Sequence, residues 1–256
     1  MNPLTKFLFE LQDITNLLWR SIKGLRKRPR YFDEIINQMD QIGVGSLGIV
    51  VLTGFFTGGV LVLQTYPTLQ YYGAQSNVGQ GVAVSLIREL GPVLTALMVA
   101  GRVGSAIAAE LGSMVVSQQI DAMRALGTSP VRKLVTPRLI ALLVTLPLLT
   151  IAADLFGLIG GGIVAKQLHG LDLNVYISSV RTGTAVDDLV AGIVKPVFFG
   201  VIIGMISCYK GLNTKGGTVG VGVSTTQAVV ASSINIIIAD FFLSKILQTL
   251  LQGTLF

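Results

Sequence analysis

The chain has 256 residues, of which 51% are hydrophobic and only 12% charged, and its formal net charge is +6. Soluble domains carry roughly 25% charge, so this composition excludes a soluble core of this size. The basic residues cluster at the ends of apolar segments, which points to anionic headgroups and membrane topology rather than to nucleic acid.

One cysteine and one histidine, Cys208 and His169, exclude an internal disulfide and a His/Cys metal cluster. In chain order, the first element is a predicted helix from Leu4 to Leu25. Its apolar positions (Leu4, Phe7, Leu8, Leu11, Ile14, Leu18, Ile22, Leu25) recur at helical spacing, with Lys6, Arg20 and Lys23 at the flanks. The cluster Arg26, Lys27, Arg28 and Arg30 follows. This pattern fits a helix lying in the membrane interface; an amphipathic helix packed on the protein is the alternative. The apolar patch from Phe7 to Trp19 is broken by Glu10 and Asp13, so it does not read as a signal peptide. A second amphipathic piece, Tyr31 to Ile42, leads into the first span. The expected division is residues 1–44 as an interfacial region and 45–256 as the membrane domain.

Crossing about 30 Å of hydrocarbon takes roughly 20 apolar residues. Runs of that kind lie near 45–66, 88–112, 134–164, 189–209 and 222–243. The third is long enough to break at Pro147 into two spans. With five spans and the N-terminus in the cytoplasm, the inner segments hold the basic N-terminal residues, then Arg124, Arg132, Lys133 and Arg138, then Lys210 and Lys215. The outer segments hold only Lys166, Arg181 and Lys245. That asymmetry supports an all-α polytopic protein with an inner N-terminus.

Small residues recur four apart: Gly54 and Gly58, Gly157 and Gly161, Gly200 and Gly204, and two rows on the second span, Gly101-Ser105-Ala109 and Gly104-Ala108-Gly112. Such spacing lets helix backbones approach closely in lipid. It serves packing within one subunit or a seam between two.

A lone charge in hydrocarbon costs about 2.5–3.5 kcal/mol on insertion scales, so Arg88, Glu89, Arg102, Glu110, Asp154, Lys195 and Asp240 each need a partner or water. Arg88 and Glu89 point about 100° apart on a helix and cannot pair with each other. A Glu89–Lys195 pair is expected, either fixing helix packing or lining a cavity for a charged headgroup. Asp154 and Asp240 are candidate partners for Arg102, and Glu110 faces nearly the same side as Arg102. No Walker A loop, GxSxG elbow, HExxH or paired-cysteine motif appears, so enzyme chemistry is not expected of this chain.

Between the second and third spans lies a short polar helix. Ser117 is placed to cap its start, Gly127 to end it in the left-handed conformation, and Pro130 follows. Ile120, Ala122, Met123 and Leu126 gather on one side, opposite Gln118, Gln119, Asp121 and Arg124. About ten residues do not hold a helix alone, so it docks on its own spans or in the groove of a partner.

Three stretches carry a family resemblance: "VLTGFFTGGVLVLQ" (Val51–Gln64), "IRELGPVLTALMVAGRVGSAIAAELGSMVVSQQIDAMRALGTSPVRKLVTPR" (Ile87–Arg138) and "KGGTVGVGVSTTQAVVASS" (Lys215–Ser233). They closely resemble the permeases of the MlaE (YrbE) family, over nearly the whole chain from about Gly43 to Leu243. The resemblance implies a homodimeric membrane subunit of an ABC system that moves phospholipids between the inner and outer bacterial membranes. It would sit in the inner membrane. It implies a cytoplasmic ATPase that supplies ATP and magnesium chemistry, with no cofactor in this chain. It further implies a periplasmic ring of MCE-domain proteins, and a STAS-domain protein often accompanies such systems.

Asp121-Ala122-Met123 with Gly127 is similar to the coupling signature of ABC importers. The resemblance therefore assigns Gln118, Ile120, Asp121, Ala122, Met123, Leu126 and Gly127 to a coupling helix at about 117–127. Gln118 stands where the family has a glutamate, and Thr218-Val219 where it has an Ala-Glu pair. The family's lipid pocket maps onto Leu61, Leu69, Tyr72, Arg88, Glu89 and Lys195. Leucine and tyrosine would take acyl chains, while Arg88 and Lys195 would meet phosphate. A carrier that works without ATP and a scaffold for a lipid-transfer complex are the competing readings.

Overall fold

The structure, a computed structural model, describes residues 3–25 and 31–252, and side chains within 8–24 and 31–250. The cluster Arg26, Lys27, Arg28 and Arg30 lies outside the described residues, as do the side chains of Leu4, Lys6, Phe7 and Leu25. The described residues contain helices and no strand.

Helix α1 spans Pro3–Leu25. The first membrane-length helix, α2, runs Phe32–Tyr71, and the second, α3, runs Gln75–Val116. A short helix α4 (Gln119–Ala125) follows. Then come α5 (Val131–His169), α6 (Leu173–Gly183), α7 (Val186–Leu212) and α8 (Gly217–Gln252). Among the described residues, five helices are thus long and apolar enough to cross a membrane. The third run is one span. Pro147 sits inside a continuous helix, because a bundle in lipid can absorb the single backbone bond a proline removes.

Single π turns interrupt the spans at Asp40–Val44, Leu86–Leu90 and Ala100–Gly104. Such turns insert a residue into the helical register and recur at functional sites. Helix α6 was not expected. Its start is set by Asp172, whose carboxylate accepts the Asn174 N–H at 2.9 Å, and it buries Tyr176. Burial pushes the Tyr176 phenol up to about 12, and its hydroxyl donates to the Leu158 carbonyl at 3.3 Å.

The packing resolves most glycine rows. A Cβ on Gly54 or Gly58 would overlap the backbone carbonyl of Ala153 or Gly157, so α2 and α5 meet backbone to backbone. Gly200 and Gly204 of α7 rest on Leu142 and Leu139 of α5. A Cβ on Gly104 would lie 2.9 Å from Ser207 Oγ of α7, and one on Gly112 2.8 Å from Thr214 Oγ1, so this row of α3 faces α7 and the turn that follows it. The Gly101-Ser105-Ala109 row differs. A Cβ on Gly101 would meet nothing within 4 Å, and Gly101 is exposed.

Helix α1 is amphipathic, as its spacing predicts. Leu17 packs against the main core, and Glu10 pairs with Lys210 of α7 at 3.0 Å. Leu8, Phe9, Leu11, Trp19 and Ile22 stay exposed, and Lys23 Nζ lies 4.8 Å over the Trp19 ring. That leaves both packing and an outward apolar face on one helix, as an interfacial element requires.

Candidate functional site

At the end of the bundle away from α4, three spans converge on Lys195 of α7. Its side chain is 1% exposed. It donates to Glu89 Oε2 at 2.5 Å, to Ser244 Oγ at 2.8 Å and to the Arg88 carbonyl at 2.9 Å. Asp240 Oδ1 lies 3.1 Å away, and the Ser244 hydroxyl donates to Glu89 Oε2 at 3.0 Å. The Arg88 carbonyl is free because Pro92, four residues on, has no N–H to offer it. The ammonium thus fills a gap that proline opens in α3.

The expected Glu89–Lys195 pair is present, and its surroundings define its character. Every Lys195 donor has an acceptor within the protein, so Lys195 is a tie between α3, α7 and α8. A phosphate would have to displace a carboxylate to reach it. Arg88 differs. Its side chain is 30% exposed, and its guanidinium approaches Asp188 at a loose 3.7 Å. Asp188 is itself fixed at the start of α7 by the Ala185 N–H at 3.1 Å.

These residues line a cavity of about 280 Å³, with Val84, Ala191, Leu247, Asp187 and Gln248 completing its wall. Its lining combines these charged and polar side chains with the apolar Val84, Ala185, Ala191 and Leu247. The structure brings Arg88, Glu89 and Lys195 together there but not Leu61, Leu69 or Tyr72. Leu61 and Leu69 pack against a separate cluster around Val62, Val78 and Tyr176, and Tyr72 is exposed. Within one subunit the six residues do not form a single pocket, because the first span turns those leucines toward α6.

The other membrane charges part from expectation. Arg102 bonds to Ser46 Oγ at 2.8 Å, not to Asp154 or Asp240. It shares a second cavity of about 270 Å³ with Glu110, Gln38 and Gln41, which agrees with the same-side placement of Arg102 and Glu110. Asp240 belongs to Lys195. Asp154 is buried, and its Oδ1 has no hydrogen-bond partner among the described residues. It lies against Gly91, where a Cβ would overlap the carboxylate. Glu110 pairs instead with Arg138 at 2.7 Å, a partner charge counting did not propose.

At the α4 end, the short helix is tighter than its sequence suggested. It spans seven residues. Ser117 does not cap its start: the hydroxyl closes α3 by donating to the Ser113 carbonyl at 2.8 Å. Gln118 takes the left-handed conformation at φ 58° and makes the corner. Gly127 is left-handed at φ 72°, as expected.

The apolar side of α4 divides. Ile120 is buried in the main core and Met123 packs against it, so these two hold the helix to its own spans. Leu126, 83% exposed, and the exposed Ala122 project away, four residues apart on one face. Asp121 and Arg124 pair at 3.0 Å on the surface, and Gln118 is exposed beside them. A partner would therefore meet Ala122, Leu126 and the Asp121–Arg124 pair, with Ile120 and Met123 as the anchor beneath.

Five membrane-length helices, a polar cavity at one end and a short anchored helix projecting at the other define a multi-pass membrane subunit of the permease type. The comparisons are more specific. Residues 35–246 match the profile of Permease MlaE, and the chain belongs to that family. It is 41% identical over 227 residues to a probable ABC transporter permease protein of Rickettsia typhi, covering 89% of this chain and 88% of that one. It is 35% identical over 232 residues to the intermembrane phospholipid transport system permease protein MlaE of Haemophilus influenzae, covering 90% and 89%. It is 36% identical over 241 residues to the chloroplastic protein TRIGALACTOSYLDIACYLGLYCEROL 1 of Arabidopsis thaliana, covering 94% and 69%.

Proposed function

We propose that this chain is the permease subunit of an ABC transporter that moves phospholipid between the inner and outer membranes of a bacterium, with ATP hydrolysed by partner subunits. The observation that carries the reading is the cavity at Arg88. It offers one accessible guanidinium in a cavity that Val84, Ala185, Ala191 and Leu247 also line, which suits a phosphodiester joined to acyl chains. The Haemophilus relative's name, an intermembrane phospholipid transport permease, supports the same substrate class.

The N-terminus lies in the cytoplasm in this reading, which follows from the basic residues at the α4 end. Residues 1–44 form the interfacial region and 45–256 the permease domain. Ala122 and Leu126 meet the ATPase, which holds ATP and magnesium. The outward Gly101-Ser105-Ala109 row makes a seam with a second copy, and that copy brings Leu61, Leu69 and Tyr72 to the lipid. An MCE-domain ring covers the periplasmic face, and a STAS-domain protein sits with the ATPase.

Purification from native membranes, followed by an ATPase assay and lipid mass spectrometry, tests this. Co-elution of an ATPase and bound phospholipid is expected. Elution without an ATPase, or without phospholipid, contradicts it.

A further inference from the structure

Glu110 and Arg138 stand on either side of the segment that carries α4. Glu110 is on the last turns of α3, and Arg138 is on α5, just past the π turn Val131–Val135. Their side chains meet at 2.7 Å, so one ion pair closes the whole cytoplasmic hairpin. Beneath it, Ile120 of α4 shares a core with Ile107, Leu111, Leu134 and Val135. The hairpin is held by an ion pair at its base and packed through its middle.

The pair is lopsided. Arg138 is 1% exposed while Glu110 is 52% exposed. Arg138 donates to the Leu134 carbonyl at 2.8 Å, and its buried Nε has no acceptor among the described residues. Glu110 is thus the anion that offsets a guanidinium locked in the core. Packing alone does not explain such an arrangement, since an apolar pair would fill the same space without the cost of desolvating a charge. A fixed cation and a half-exposed anion make a contact that can open and re-form.

Of the two helices that meet at this pair, α3 also lines the far cavity. Helix α3 carries Glu110 at one end and Arg88 and Glu89 at the other, a separation of about 30 Å along a helix. It lies tightly on α7, where a Cβ on Gly211 would sit 2.8 Å from Leu111 Cβ. Helix α7 carries Lys195 to the same cavity. Rigid helices with discrete contacts at both ends are the elements through which displacement travels.

We propose that Glu110–Arg138 is a positioning pair that makes α4 and the ends of α3 and α5 one lever, so that motion imposed on α4 reaches the Arg88–Lys195 cavity. This rests on the reading of α4 as the ATPase contact. The role is separate from lipid contact and from ATPase docking.

The test is reconstitution of the whole transporter with wild-type chain, Glu110→Gln or Glu110→Asp, measuring ATPase subunit retained, melting temperature and phospholipid moved per ATP hydrolysed. The lever predicts that Glu110→Gln keeps the ATPase subunit at wild-type stoichiometry while lipid moved per ATP falls at least about fivefold, the low end of ordinary coupling factors. Glu110→Asp falls between the two. A wild-type ratio in Glu110→Gln overturns the proposal. So does a lower melting temperature with the ratio intact, because that is a structural role alone. A wild-type preparation that binds no ATPase subunit overturns the functional reading itself, and the lever with it.

Discussion

Lys195 donates to Glu89 at 2.5 Å while holding the Arg88 carbonyl at 2.9 Å. One side chain therefore binds both the acid and the backbone at the place where Pro92 weakens α3. Removing Lys195 leaves Glu89 and Asp240 without their cation and Arg88 without a backbone donor. Breaking a buried pair from one side costs about 3–5 kcal/mol. Lys195→Met is expected to lose most of the folded protein, read as melting temperature in detergent. Glu89→Gln in the same background recovers part of the loss, because the two residues share one network.

Arg88 behaves differently because it is the open cation of the same cavity. Arg88→Glu is expected to leave the complex assembled and to lower the unfolding free energy by only about 1 kcal/mol, the scale of the loose, part-exposed contact to Asp188 that it removes. It removes the guanidinium that meets phosphate, so lipid transport falls at least about tenfold, the loss of roughly one charge-assisted hydrogen bond. Normal transport by this variant moves the phosphate contact elsewhere.

At α4, the split between anchor and projection gives opposite outcomes for neighbouring residues. Ile120→Asp puts a carboxylate into the main core and is expected to prevent folding. Leu126→Asp changes an exposed side chain and leaves the fold intact, but it removes the ATPase subunit in a pull-down. Retention of the ATPase by Leu126→Asp would place the contact on another surface.

The glycine rows separate in the same way. Gly58→Val drives a side chain into the Gly157 backbone, a strain of about 1–3 kcal/mol or more, and the yield of folded protein falls. Gly101→Val meets open space within the subunit, so the protein folds, and any loss appears as monomer in size-exclusion chromatography.

The five spans were legible because hydrocarbon admits only long apolar helices with internally satisfied backbones. Their true lengths were not. Helix α3 extends over Gln75–Val116, well past its apolar run near 88–112, because protein contacts continue it beyond the lipid. Pro147 looked like a break for a similar reason: its cost is set by neighbours, not by the residue. Glu89–Lys195 was legible as two opposite charges at similar depth.

Arg102 was misassigned because pairing acids with bases takes no account of which helices touch, and its neighbour is Ser46. The π turns that orient Arg88 and Arg102 leave no local signal, since tertiary packing inserts them. Met123 and Leu126 read as one stripe. Only the packing of Ile120 shows that the stripe divides between the chain's own core and a partner.

In the proposed function, ATP hydrolysed by the partner subunits moves phospholipid through this chain. The most direct test of this is transfer of a labelled phospholipid from proteoliposomes holding the purified complex to acceptor vesicles, with ATP or a non-hydrolysable analogue. Transfer that requires hydrolysable ATP and is lost in Arg88→Glu is the predicted result. Equal transfer with the analogue, or no transfer by the wild-type complex, would contradict it.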